Sequence, residues 1–175
     1  MELQNQPSTS GEGTAFNQGI PLGQLMGALT TLTTPEFIAT YGPAFFLMHK
    51  SAKQGFPKRQ PTAEIRLKPK DLQTTNVKML AFPLRPAPGG TALTVGRTLH
   101  NDVCIGDISI SRVHAAVKVR PDGYFLHDTG SRNGTSLGGV RLERDAPQQL
   151  FSGAQVQFGA IVCDFVLAED LPKIS

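Results

Sequence analysis

Between Gly96 and Thr135 the chain collects Arg97, Ser111, Arg112, Ser131, Arg132 and Asn133, each beside a glycine or a turn. A guanidinium is planar, always charged, and able to grip two phosphate oxygens at once, which an ammonium cannot do in the same way. A serine hydroxyl is short enough to add a donor, and an asparagine amide both donates and accepts. Such a set suits holding a phosphate and the peptide beside it. It is poorly equipped to break a bond. No paired carboxylates stand out for acid–base work, no Gly-x-x-x-x-Gly-Lys loop is present, and no Cys/His cluster has zinc spacing. Gly134-Thr135-Ser136-Leu137-Gly138 formally matches a hydrolase nucleophile elbow. That motif needs a helix next and a histidine later in the chain. Here a glycine pair follows, and His49, His100, His114 and His127 all precede Ser136. The expectation is therefore no enzyme, with no catalytic residue, no cofactor and no metal ligand.

The elements that must position these residues read as short strands. Val77–Phe82, Ala92–Val95, Val103–Ile105, His114–Val119, Tyr124–His127, Ser136–Leu137, Val140–Leu142, Gln155–Phe158 and Ile161–Leu167 are apolar-alternating runs. Pro88-Gly89-Gly90, Pro121-Asp122-Gly123, Asn133-Gly134, Gly138-Gly139 and Gly153 punctuate them, and Asp-Gly and Asn-Gly tolerate the positive φ of tight turns. Many short strands with regular turns predict a sandwich or barrel. No helix of useful length fits between them, which argues against a parallel α/β sheet.

Upstream, residues 1–18 are polar and are expected to be a disordered tail. Residues 19–49 read as a short helical segment: Leu22, Leu25, Met26, Leu29 and Leu32 recur at helical steps, and Thr34-Pro35-Glu36 resembles a helix start before Phe37, Ile38 and Tyr41. Residues 50–76 form a basic, proline-interrupted linker; Lys50, Lys53, Lys58, Arg59, Arg66, Lys68 and Lys70 face only Glu64. The strand-rich domain is expected over 77–170, with a tail at 171–175. A formal net charge of +3 over 175 residues suits an acidic ligand without indicating nucleic acid, since no basic helix or aromatic interleaving accompanies it. The amino terminus lacks a secretory pattern and no run reaches the ~18 apolar residues of a membrane span, so a cytoplasmic protein without membrane contact is expected. Cys104 and Cys163 are then free thiols. Alternation turns Cys104 outward, between core-facing Val103 and Ile105, and Cys163 inward.

Order and spacing together are more specific than any one motif. Val95-Gly96-Arg97, Asn101-Asp102-Val103-Cys104-Ile105, Ile110-Ser111-Arg112-Val113-His114-Ala115, Asp128-Thr129-Gly130-Ser131-Arg132-Asn133-Gly134-Thr135 and Val156-Gln157-Phe158-Gly159 resemble the forkhead-associated (FHA) family of phosphothreonine-binding domains over roughly residues 77–168. The resemblance implies an all-β, twisted antiparallel β-sandwich with a short, partly helical N-terminal extension and a ligand site on the loops at one edge. It implies that Arg97, Ser111 and Arg112 meet the phosphate. Asn133 would hold the ligand backbone with Arg132 or Ser131 nearby, while His114, Gly96 and Gly134 would support the loops. Gly138-Gly139 stands where the family often has Asn-Gly, which leaves the preference beside the phosphothreonine open.

The function so implied is a non-catalytic reader or adaptor in Ser/Thr kinase signalling. Its partner would be a phosphothreonine-containing protein, a kinase or a kinase substrate. The alternative is a phosphate-independent scaffold that assembles a complex, or self-associates, through the apolar helices of residues 20–48.

Overall fold

The computed structural model describes residues 17–49 and 79–174. The basic linker expected over 50–76 and all but the last two residues of the expected tail 1–18 lie outside the described residues. In chain order come β1 (Ile20–Pro21), α1 (Leu22–Thr31), α2 (Thr34–Tyr41), β2 (Ala44–His49), β3 (Met79–Pro83), β4 (Ala92–Gly96) and β5 (Val103–Cys104). Then follow β6 (Ala115–Arg120), β7 (Gly123–Asp128), β8 (Thr135–Leu137), β9 (Val140–Arg141), β10 (Gln148–Leu150), β11 (Ala154–Phe158), β12 (Ile161–Leu167) and a 3-10 helix (Ala168–Lys173).

The strands form two sheets. One has seven strands in the order β1-β3-β2-β12-β11-β8-β9, the other five in the order β10-β7-β6-β4-β5. All pairings within them are antiparallel except the short β4–β5 ladder. The alternating inward residues of both sheets interdigitate: Phe46, Phe82, Val156, Phe158 and Phe165 from the first meet Leu93, Val95, Val117 and Leu126 from the second. The fold is an all-β sandwich.

The upstream segment departs from the sequence expectation. Helices α1 and α2 form, but the segment read as helical through residue 49 ends in β2, whose Phe45–Met48 run is apolar on both faces. Ala44, Phe46 and Met48 enter the core between the sheets, while Phe45 and Leu47 face the helices. A strand buried on both sides has no polar alternation, and periodicity cannot distinguish it from a buried helix. β2 pairs with β12 through Phe46↔Phe165 and with β3 through Phe46↔Phe82, an interior position in its sheet. The sandwich therefore does not begin at residue 77.

A second apolar cluster lies on the outer side of the seven-stranded sheet. Leu25 of α1 and Phe37 of α2 are buried there against Phe45, Leu47, Ala81 and Val166. Burial of such side chains contributes about 1.5–3 kcal/mol each. Leu171 joins this cluster, so the expected tail at 171–175 begins inside a packed 3-10 helix. The cap of α2 is Thr33, one residue before the expected Thr34; Glu36 Oε2 accepts from both its backbone N–H (2.9 Å) and its hydroxyl (2.7 Å). Of the apolar faces that could serve a partner, a second copy or their own domain, Leu25 and Phe37 are buried within the domain.

Candidate phosphopeptide site

Ser111 ties together the loops that carry the candidate cations. Its carbonyl accepts from Arg97 N–H (2.9 Å), its N–H donates to His114 Nδ1 (3.0 Å), and its Oγ accepts from Arg132 N–H (3.0 Å). Arg97 leaves the end of β4, Ser111 and Arg112 precede β6, and Arg132 belongs to the turn between β7 and β8. Three separate loops are thus fixed to one short residue. The hydroxyl proton of Ser111 has no acceptor among the described residues, while the oxygen is held in place by the Arg132 amide.

His114 is fully buried and spans two of these loops. Because Nδ1 accepts the Ser111 N–H, the ring proton sits on Nε2, which donates to Gly134 O (3.0 Å). Burial holds the imidazole pKa below its ordinary 6.5, against the opposing pull of the Gly134 carbonyl and the Asp128 charge. Neutral His114 is the form that satisfies both loops; a protonated ring would meet the Ser111 N–H donor to donor. Its imidazole is consumed by the scaffold and has no free lone pair for chemistry.

The 128–134 turn is built around a carboxylate. Asp128 Oδ1 accepts from the N–H groups of Gly130 and Ser131 (both 2.8 Å), and Oδ2 from the hydroxyls of Ser131 (2.6 Å) and Thr135 (2.7 Å). Burial by itself would raise this carboxyl's pKa, but the bonds from Ser131, Thr135 and Gly130 together outweigh it and leave the pKa below its ordinary value. Ser131 consequently differs from its expected ligand role. Its single proton goes to Asp128 and its oxygen accepts Gly134 N–H (2.9 Å), so it builds the loop and has no donor left for an anion. Asn133 is exposed, and its Nδ2 donates to Ser109 O (2.7 Å), which anchors the amide at the rim. Gly134, at φ 84°, takes the left-handed turn a side chain would resist, and the Arg141 guanidinium packs across its Cα.

Gly96 answers a different requirement. A Cβ there would lie 2.2 Å from Arg112 O and 2.6 Å from Asn101 Nδ2, so the strand end packs directly on the next loop. The buried Asn101 amide fills that junction, donating to Thr98 O (2.8 Å) and Arg112 O (2.7 Å). Upstream, Asn17 reaches the same loop: its Nδ2 donates to Leu99 O (3.1 Å) and its carbonyl accepts Cys104 N–H (2.7 Å). The contact corrects one expectation. Cys104 is not outward-facing but buried, beneath the Asn17 segment, with Sγ against Arg97 O (3.5 Å), and burial raises its thiol pKa. Cys163 is fully buried inside the sandwich, and burial pushes its thiol far up.

Arg97, Arg112 and Arg132 are exposed, and none has a carboxylate partner among the described residues. Asp102, Asp107 and Asp128, acids on or beside these loops, accept hydrogen bonds from Thr94, Ser109 and Ser131. The result is three exposed guanidiniums without carboxylate partners on loops tied to Ser111, whose hydroxyl proton has no acceptor among the described residues. Asp128, Asn101, Ser109 and Asn17 were not singled out as site residues by sequence reasoning. Asp128 had a legible signal, an acid followed by Gly and Ser two and three residues on, the pattern of a side chain that closes its own turn. Asn17 had none. Ser136, the formal nucleophile, lies on β8 opposite Gln157 and Arg141, and the Gly138-Gly139 turn leads into β9 rather than a helix.

Part of this chain is similar to known proteins. The family model of the FHA domain matches residues 93–159. The human nuclear inhibitor of protein phosphatase 1 is 41% identical over 70 residues, which cover 39% of this chain and 20% of that protein; the bovine protein of the same name matches equally. The chain thus spans about a fifth of the length of these relatives. Among solved structures, the FHA domain of the CT664 protein from Chlamydia trachomatis aligns with a TM-score of 0.46 at 23% identity, covering 70% of this chain and 96% of that one. A structure described as an analysis of phosphothreonine-dependent FHA domain interactions aligns with a TM-score of 0.46 at 15% identity, covering 70% and 95%. The FHA-domain model thus falls on the part of the sandwich whose loops carry Arg97, Ser111, Arg112, Arg132 and Asn133.

Proposed function

We propose that this protein is a phosphothreonine-dependent interaction module, a non-catalytic reader that docks a partner phosphorylated by a Ser/Thr kinase. One observation carries the reading. The Ser111 hydroxyl is fixed by the Arg132 amide with its own proton unclaimed, on a rim where three exposed guanidiniums lack carboxylate partners. A phosphothreonine brings about −1.5 to −2 charge and three strong acceptor oxygens, the complement of that rim. Two or three charge-assisted bonds at about 1.5–3 kcal/mol each are compatible with micromolar affinity, about −8 kcal/mol. Arg97, Ser111 and Arg112 are assigned to the phosphate, and Asn133 and Arg132 to the peptide beside it. A cytoplasmic location fits a reader of kinase products. The scaffold alternative rested on apolar helices free to engage a partner, and Leu25 and Phe37 are instead buried on their own sheet.

The test is titration of phosphothreonine peptides and their unphosphorylated counterparts against the wild type and Arg97→Ala. The phosphorylated peptide should bind at micromolar concentration, the unphosphorylated one not measurably, and the variant should lose about 2–5 kcal/mol. Equal binding of the two peptides by the wild type, or an unchanged affinity in the variant, refutes the assignment.

A further inference from the structure

The 130–134 turn carries a further cation at Gly134. Arg141, on β9, is paired with Ser136 of β8 and extends its guanidinium over Gly134, where Cζ would lie 2.4 Å and Nη2 2.5 Å from a Cβ built on that glycine. Arg141 is exposed and has no carboxylate or hydrogen-bond partner among the described residues. Its neighbour along the turn, Arg144, packs similarly against Gly130 but is paired with Asp145 (3.3 Å). Arg141 is therefore the uncompensated member. It packs on the residue next to Asn133, the residue assigned above to the ligand backbone, and the glycine's missing side chain is what lets its guanidinium come this close to the turn.

We propose that Arg141 forms a separate anion subsite that selects partners carrying a second negative group, a carboxylate or a further phosphate, beside the phosphothreonine. The proposal rests on the phosphopeptide reading above, and the sequence patterns do not assign this residue. A planar guanidinium can take either group in a two-bond fork. Because the site is open to solvent, the gain from a carboxylate is that of an exposed pair, about fivefold at most. A doubly charged phosphate should give more, and both gains should shrink at high salt.

The experiment uses the whole chain, as wild type, Arg141→Ala and Arg141→Lys. The probes are one phosphothreonine peptide with alanine flanks, a series with glutamate moved through each flanking position, and a series with phosphoserine in its place. Wild type should favour at least one flanking position by about three- to tenfold. Arg141→Ala should bind the alanine-flanked peptide as wild type does and show no such preference, with Arg141→Lys in between. Glutamate and phosphoserine arms tell the two anion sources apart. If the preference survives in Arg141→Ala, or if that variant loses the alanine-flanked peptide as well, the subsite is overturned. If wild type binds no phosphopeptide in any series, the underlying reading has failed instead, and the subsite with it.

Discussion

Replacing His114 by leucine isolates the bond that joins two of the loops. Leucine has similar bulk and fits the apolar side of the site, where the ring meets Phe158 edge-on at 5.9 Å. What disappears is a pair of hydrogen bonds: Ser111 N–H loses its acceptor, and Gly134 O keeps only the Gly159 N–H as donor. A buried group left unpaired costs about 1–3 kcal/mol and one further lost bond about 0.5–1.5 kcal/mol, so the variant should lose about 1.5–4.5 kcal/mol of a total stability typically about 5–15 kcal/mol. Urea unfolding gives the loss as a shift of midpoint at unchanged slope. The pH dependence gives a second, independent readout. The folded-state pKa of His114 is lowered, so the unfolded chain binds more protons than the native one as the pH falls below 6.5. Its contribution is fully present above that pH and is lost as the pH drops through the lowered native value. The gap between wild type and His114→Leu should therefore narrow on acidification, and the wild type's affinity for a phosphopeptide should weaken as the Ser111 loop is released. A variant within about 0.5 kcal/mol of wild type at neutral pH, the range of an ordinary surface change, would refute the bridging role.

Two other perturbations follow from the same geometry. Gly96→Ala places a methyl group 2.2 Å from Arg112 O; the strand end must move, and overpacking of about 1–3 kcal/mol should appear in thermal unfolding together with weaker phosphopeptide binding. Deleting residues 1–49, which a domain boundary at 77 or 93 would invite, removes β2 from between β3 and β12. The truncated chain should lose cooperative unfolding and scatter light as an aggregate, whereas a monomeric chain with a normal transition would show that the central strand is dispensable.

What the sequence revealed follows from where its information is local. Turn chemistry is local, and Pro121-Asp122-Gly123 and Gly138-Gly139 mark hairpins because only certain residues accept the required φ; both glycines of the second pair sit at positive φ, 57° and 81°. Half-buried strands such as Ala115–Arg120 alternate visibly, since one face meets the core and the other meets water. β2 lacks that contrast, because helices cover the side that would otherwise be polar. Its membership in the sheet depends on partners thirty or more residues downstream in sequence, across the 50–76 segment.

The same distinction separates the legible from the illegible parts of the site. Arg97, Ser111 and Asn133 announce themselves by type and by the turns that carry them. Their orientation is set by groups with ordinary local signatures. Asn17 joins the Leu99 carbonyl across 82 residues of sequence, and Cys104 is buried because that same segment covers it, against the alternation of its own strand. Arg141 is one more surface arginine until the fold lays it on Gly134. The residues assigned to the phosphate in the proposed function can be read as residue types on loops. The proposed discrimination among partners depends instead on where the second hairpin lays Arg141, which the register Ser136↔Arg141 sets. A shift of that pairing by one residue would turn Arg141 to the opposite face of the sheet and take its charge off Gly134, while the Ser111 ties to Arg97 and Arg132 would stay as they are.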